Sequence, residues 1–151
     1  MKKFLAIAVL VLGISFAAAA QPRAIGARMG WGFEASYQHT MKGANFLEAD
    51  LGLFTNSLNG AVIYNFMITQ PSWTDRGEWG FYAGPGGAIG VGVLSGHSGF
   101  NLSAAGQVGL EYTFWFPLQL SFDVRAQLGY AFGGQAFYFG IGPALSVRYR
   151  F

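Results

Sequence analysis

Cysteine is absent from the sequence, and its absence removes disulfides, zinc–thiolate sites, thiol nucleophiles and a lipid-anchored cysteine at a processing point. Charge is scarce: Asp, Glu, Lys and Arg make up 11% of 151 residues, against roughly 25% in ordinary soluble domains. That is too little to cover a water-facing surface. Histidine occurs only at His39 and His97, neither with an acidic residue or a second histidine at ligand spacing. After residue 20 no apolar run approaches the roughly 18 residues of a membrane-crossing helix, which excludes a helical bundle in a bilayer. Aromatic residues and glycine are plentiful instead, at 17% and 23 residues, and the length leaves room for one domain.

The first 20 residues stand apart. Lys2 and Lys3 are followed by an apolar stretch from Phe4 to Phe16, broken only by Gly13 and Ser15, and then by the small residues Ala17 to Ala20. This pattern reads as a secretory signal peptide cleaved before Gln21, leaving residues 21–151 as a single domain. The competing reading, a helical anchor, fails on length, since a span needs about 20 apolar residues. Without Lys2 and Lys3 the chain carries 7 bases and 7 acids. The basic isoelectric point is therefore no argument for a nucleic-acid partner.

The rest alternates with period two. From Leu118 to Tyr130, Leu118, Leu120, Phe122, Val124, Ala126, Leu128 and Tyr130 share one face, opposite Gln119, Ser121, Asp123, Arg125, Gln127 and Gly129. Residues 137–151, 102–114, 79–93 and 47–53 follow the same rule, while 61–69 is apolar on both faces. Turn signals separate these runs at Met41 to Gly43, Asn56 to Gly60, Gln70 to Glu78, Ser95 to Gly99, Pro117 and Gly133-Gly134. Soluble strands typically hold about five to six residues, whereas a tilted bilayer crossing needs about 9 to 11. A sheet in lipid must also close, because an open edge would strand backbone groups away from water. Seven runs are well separated; an even number follows if 24–40 is two strands, 24–29 and 33–40, joined around Gly30-Trp31-Gly32. The expected fold is thus all-β: a closed, antiparallel, up-and-down transmembrane β-barrel of eight strands.

If the apolar face meets lipid, the other face carries Arg28, Glu34, Glu48, Asp50, Glu111, Asp123, Arg125, Arg148 and Arg150, nine of the 14 charges beyond residue 20. Arginine at mid-bilayer on the lipid face costs about 2–4 kcal/mol, so the lumen is the cheaper place. An eight-stranded barrel is just wide enough for side chains to fill it, which favours a salt-bridge plug over a narrow ion or proton path. Gly80, Gly84, Gly86, Gly90 and Gly92 leave one wall bare, either to receive arginines or to border water. The tryptophans (31, 73, 79, 115) and Tyr37, Tyr112, Tyr130 and Tyr149 fall near expected strand ends, as interfacial aromatics do.

The ending Ala144-Leu145-Ser146-Val147-Arg148-Tyr149-Arg150-Phe151 resembles the terminal signal of outer-membrane barrels, carried here by Val147, Tyr149 and Phe151. Ile25 to Gly30, Phe46 to Ala49 and Gly109 to Tyr112 resemble the small outer-membrane β-barrel proteins of Bacteroidetes, eight-stranded barrels of the OmpX and OmpA type. The resemblance implies export to the outer membrane, contact with its lipid and lipopolysaccharide, handling by the barrel-insertion machinery during assembly, and a monomer. It names no activity.

Candidate chemistry is thin. Gly84 to Gly90 fails the dinucleotide fingerprint, since Ile89 replaces the last glycine and no helix follows. Small barrels include a lipid acyltransferase using His, Asp and Ser, but here His97-Ser98 and the pair His39 and Asp75 fall at opposite rims of the expected layout. No catalytic residue, cofactor or metal ligand is expected. A structural envelope barrel is the first reading, and a narrow porin-like channel the second.

Overall fold

The structure, a computed structural model, describes residues 22–54, 57–92 and 99–151. The leader read at residues 1–20, Val93 and His97-Ser98 lie outside them. Eight strands follow one another: β1 (Pro22–Met29), β2 (Phe33–Thr40), β3 (Phe46–Phe54), β4 (Ser57–Thr69), β5 (Glu78–Gly92), β6 (Phe100–Thr113), β7 (Leu118–Ala131) and β8 (Ala136–Arg150). Each pairs antiparallel with the next, and β1 pairs with β8 to close the barrel. At the seam Ala24 stands opposite Arg150 and Met29 opposite Leu145. The Phe151 amide extends the seam by donating to the Arg23 carbonyl at 3.1 Å.

The division of residues 24–40 into two strands holds, and its reason is local. Gly30 to Gly32 reverse the chain, the Gly30 amide donating to the Gly32 carbonyl at 3.1 Å, so Ala27 meets Ala35 and Arg28 meets Glu34 across the hairpin. At the other end Met41 to Asn45 form the β2–β3 turn, where Gly43 adopts a φ of 64° that disfavours a side chain. Two boundaries differ from expectation. Residues 57–60 belong to β4 rather than to a turn, since Ser57 already pairs with Phe54 and Gly60 with Leu51; the polar residues Ser57 and Asn59 read as a loop but face inward. Phe114 lies in the turn before Pro117, where its amide donates to the Leu118 carbonyl at 2.9 Å.

Alternation then decides which side chains point where. Apart from His39 at the end of β2, the outward positions hold uncharged, mostly aliphatic, aromatic or small residues: Ile25 and Met29 on β1, Leu51 and Leu53 on β3, Leu120, Phe122 and Leu128 on β7, Leu145 and Val147 on β8 are all exposed. At the end bearing the chain termini, aromatic rings touch in sequence from Trp73 to Trp79, Tyr112 and Phe114, with centroids 5.2, 4.8 and 4.6 Å apart. Tyr130, Phe132, Phe137 and Phe100 cluster at the opposite end.

Three apolar side chains that break the binary rule by pointing inward are fully buried, Phe46, Ile63 and Tyr82, and Met67 joins them half-buried over Gly80. Phe46 and Tyr82 meet edge to face at 5.1 Å, and inward-facing Gly109 makes room for the phenol, since a Cβ there would lie 2.4 Å from the ring. Gly109→Val is therefore expected to lower the unfolding free energy by about 1–3 kcal/mol through overpacking, read by urea titration in phospholipid vesicles. A cost near zero would mean that Tyr82 does not occupy this position.

Candidate functional site

The lumen is where the chain concentrates its chemistry. The β2 and β3 register sets Gln38 beside Glu48 and Ser36 beside Asp50, and the barrel wall brings arginines from three other strands to meet them. Arg148 on β8 donates from Nη2 to Glu48 Oε2 at 3.0 Å, from Nε to Ser36 Oγ at 2.9 Å and from Nη1 to Ser121 Oγ at 2.7 Å. Arg125 on β7 donates from Nη2 to Asp50 Oδ2 and to Glu48 Oε1 at 3.3 Å, and from Nε to Gln107 Oε1 at 2.9 Å. Gln107 and Gln38 complete the shell of Glu48, donating at 3.0 and 2.8 Å. Arg28 on β1 grips both oxygens of Asp123, at 3.2 and 2.6 Å, and also pairs with Glu34. A two-pronged grip of this kind fixes geometry as well as charge.

Of the nine charged residues read as facing the lumen, Arg28, Glu34, Glu48, Asp50, Asp123, Arg125 and Arg148 form one connected cluster. Glu111 sits nearer the terminus end and pairs with Arg23, which the alternation pattern does not place inside. Arg150 is the correction. It occupies the inner-face register but sits half-buried at the rim, and no ion pair links it to the other described residues. Arg23 takes its place because the pairing register shifts between Pro22 and Ala24. A bulge adds one residue on one strand and re-aims a side chain, so Arg23 and Ala24 are both buried despite being neighbours. Pro22 was the available signal, because proline within a sheet is confined to edges, strand starts and bulges. Arg23 also donates to Gln38 and lies over the Phe46 ring at 4.0 Å.

The lumen is filled unevenly. Toward the terminus end, Arg23, Phe46, Tyr82, Glu111 and Gln119 close it, and Gln119 donates to Glu111 at 2.6 Å. Toward the opposite end the inward positions are mostly small, and a cavity of about 500 Å³ lies between the Arg28–Glu34–Arg125 cluster and Trp31. The bare glycine wall of β5 thus has two fates. Gly80 is covered by Met67 and Glu111, while Gly90 lies beneath Asn59 and Asn101 near the cavity.

Val147, Tyr149 and Phe151 all face outward and are exposed, the last two rings meeting edge to face at 5.4 Å. His39 lies at the end of β2, on the same end of the barrel as the loop bearing Asp75. Among the described residues no group of three or more acidic or histidine side chains is placed to hold a metal ion. No family model, no curated protein and no solved structure matches this chain.

Proposed function

We propose that the chain is an integral outer-membrane β-barrel of a bacterial envelope, monomeric, with a structural role and a lumen blocked by its salt-bridge cluster. The observation that carries this reading is the distribution of charge: no strand places an Asp, Glu, Lys or Arg on its outward face, whereas nine ionisable groups pair inside. Exposed apolar patches on soluble monomers rarely exceed a few hundred Å², and here the apolar belt runs around the barrel. Strand length agrees. The 14 residues of β7, at about 3.4 Å per residue and a tilt near 40°, rise about 36 Å. The eight residues of β1 and β2 rise about 21 Å on the same geometry, close to the roughly 25 Å apolar band of such barrels.

The test is fractionation of cells expressing the full chain, followed by electrophoresis with and without boiling. The expected result is recovery with the outer membrane and a band that migrates faster before boiling, as a closed barrel resists detergent. Recovery in the soluble fraction would contradict the reading. A conducting lumen is the competing function, and the packed Phe46, Tyr82 and Arg23 layer opposes it. Planar bilayers containing the purified protein are expected to stay electrically silent, and reproducible unitary steps would refute the plug.

A further inference from the structure

A barrel whose lumen served only as a plug would be filled along its whole length, yet the described residues of this one fill half of it. Beyond the charge cluster the small inward residues Ala61, Ala88, Ala131, Gly140 and Gly142 border the cavity of about 500 Å³. That volume lies within the roughly 300–1,000 Å³ typical of small-molecule sites. Small residues alone leave only space. The floor and mouth add polar groups: Glu34, Asn59 and Asn101 all line the cavity, with Arg125 buried at its floor. Glu34 is half-buried there, its Oε2 held by Arg28.

The mouth has its own construction. The Trp31 indole leans across the inner surface of β8, where a Cβ on Gly142 would come within 2.4 Å of its Nε1. Glycine at 142 is what lets this ring lie over the cavity. Beside it Asn59 and Asn101 converge above Gly90, whose missing Cβ leaves space for both carboxamides. Tyr138 fixes Asn101 by donating to Oδ1 at 3.1 Å.

We infer that this cavity is a binding site for a small, neutral, hydroxyl-rich molecule of one or two sugar rings, with a ring face against Trp31 and hydroxyls on Glu34, Asn59 and Asn101. The charge around the floor selects against an anion. Arg28 and Arg125 already have their charges matched by Asp123, Asp50, Glu48 and Glu34, and the Glu34 carboxylate would face an incoming anion. Hydroxyl groups both donate and accept, which suits a site offering a carboxylate oxygen and two carboxamides. The inference goes beyond the envelope-barrel reading and does not depend on it.

The test is a titration of the ¹⁵N-labelled full chain in phosphocholine-detergent micelles, with maltose as the probe and citrate as its anionic counterpart. Maltose is expected to give saturable shifts at the Trp31 indole N–H and the Asn59 and Asn101 side-chain amides. The indoles of Trp73, Trp79 and Trp115, at the terminus end, should not move. Gly140→Leu fills the cavity from a position whose Cβ meets only the Trp31 ring, at 3.9 Å, and should abolish the shifts while the unboiled band keeps its mobility. Trp31→Ala, a change at an exposed turn residue, should abolish the Asn101 shift without touching any strand. Saturation by citrate alone, maltose shifts that survive both substitutions, or no saturable shift with maltose would each overturn the inference. Maltose binding by a barrel that fractionates as a soluble protein would support it while sinking the membrane reading, so the two fail separately.

Discussion

Glu48→Ala is expected to lower the unfolding free energy by about 3–5 kcal/mol, the usual cost of breaking a buried ion pair by removing one partner, when followed by urea titration in phospholipid vesicles. Glu48 is fully buried and accepts from Gln38, Gln107, Arg125 and Arg148. Arg125 retains Asp50 and Glu34 after the substitution, but Arg148 loses its carboxylate and keeps only the hydroxyls of Ser36 and Ser121. A guanidinium in that position has no water to turn to, being 1% exposed. The double variant Glu48→Ala/Arg148→Met is therefore expected to recover much of the loss, because removing both charges is often neutral where removing one is not. A Glu48→Ala cost below about 1 kcal/mol, the scale of an exposed pair, would mean that the cluster is solvated rather than sealed.

On the proposed membrane reading, Val124→Arg is expected to destabilise by about 2–4 kcal/mol in vesicles, the cost of arginine on a lipid face near the bilayer midplane. Val124 lies in the middle of β7, facing outward between Val108 on β6 and Pro143 on β8. The control is Ser72→Arg in the exposed loop between β4 and β5, expected to change stability by no more than about 0.5 kcal/mol. The contrast is what matters. On a barrel surrounded by water both substitutions would be surface changes of similar, small effect.

Much of the fold is legible in the alternation, because each strand of a closed barrel presents an inner and an outer face and here the two differ sharply in polarity. β7 keeps that pattern through 14 residues, and even the divided 24–40 stretch follows from the need for an even strand number. The site is less legible. Arg23 sits on the outward side of a perfect alternation and is turned inward by a bulge that only Pro22 hints at. Phe46, Ile63 and Tyr82 are apolar and yet face the lumen, since a narrow interior is closed by volume as well as by charge. The half-empty lumen is invisible along any one strand. It arises because small residues on β4, β5, β7 and β8 come to the same height only when the staggered register is known.

The absence of cysteine makes the decisive measurement simple, since one introduced thiol takes one label. A fluorophore on Val124→Cys, in protein reconstituted into vesicles whose lipids carry brominated acyl chains, is expected to be strongly quenched, while the same fluorophore on Ser72→Cys is not. Equal and weak quenching at the two positions, or protein that remains in the aqueous phase, would show that the apolar belt does not face hydrocarbon and would contradict the account.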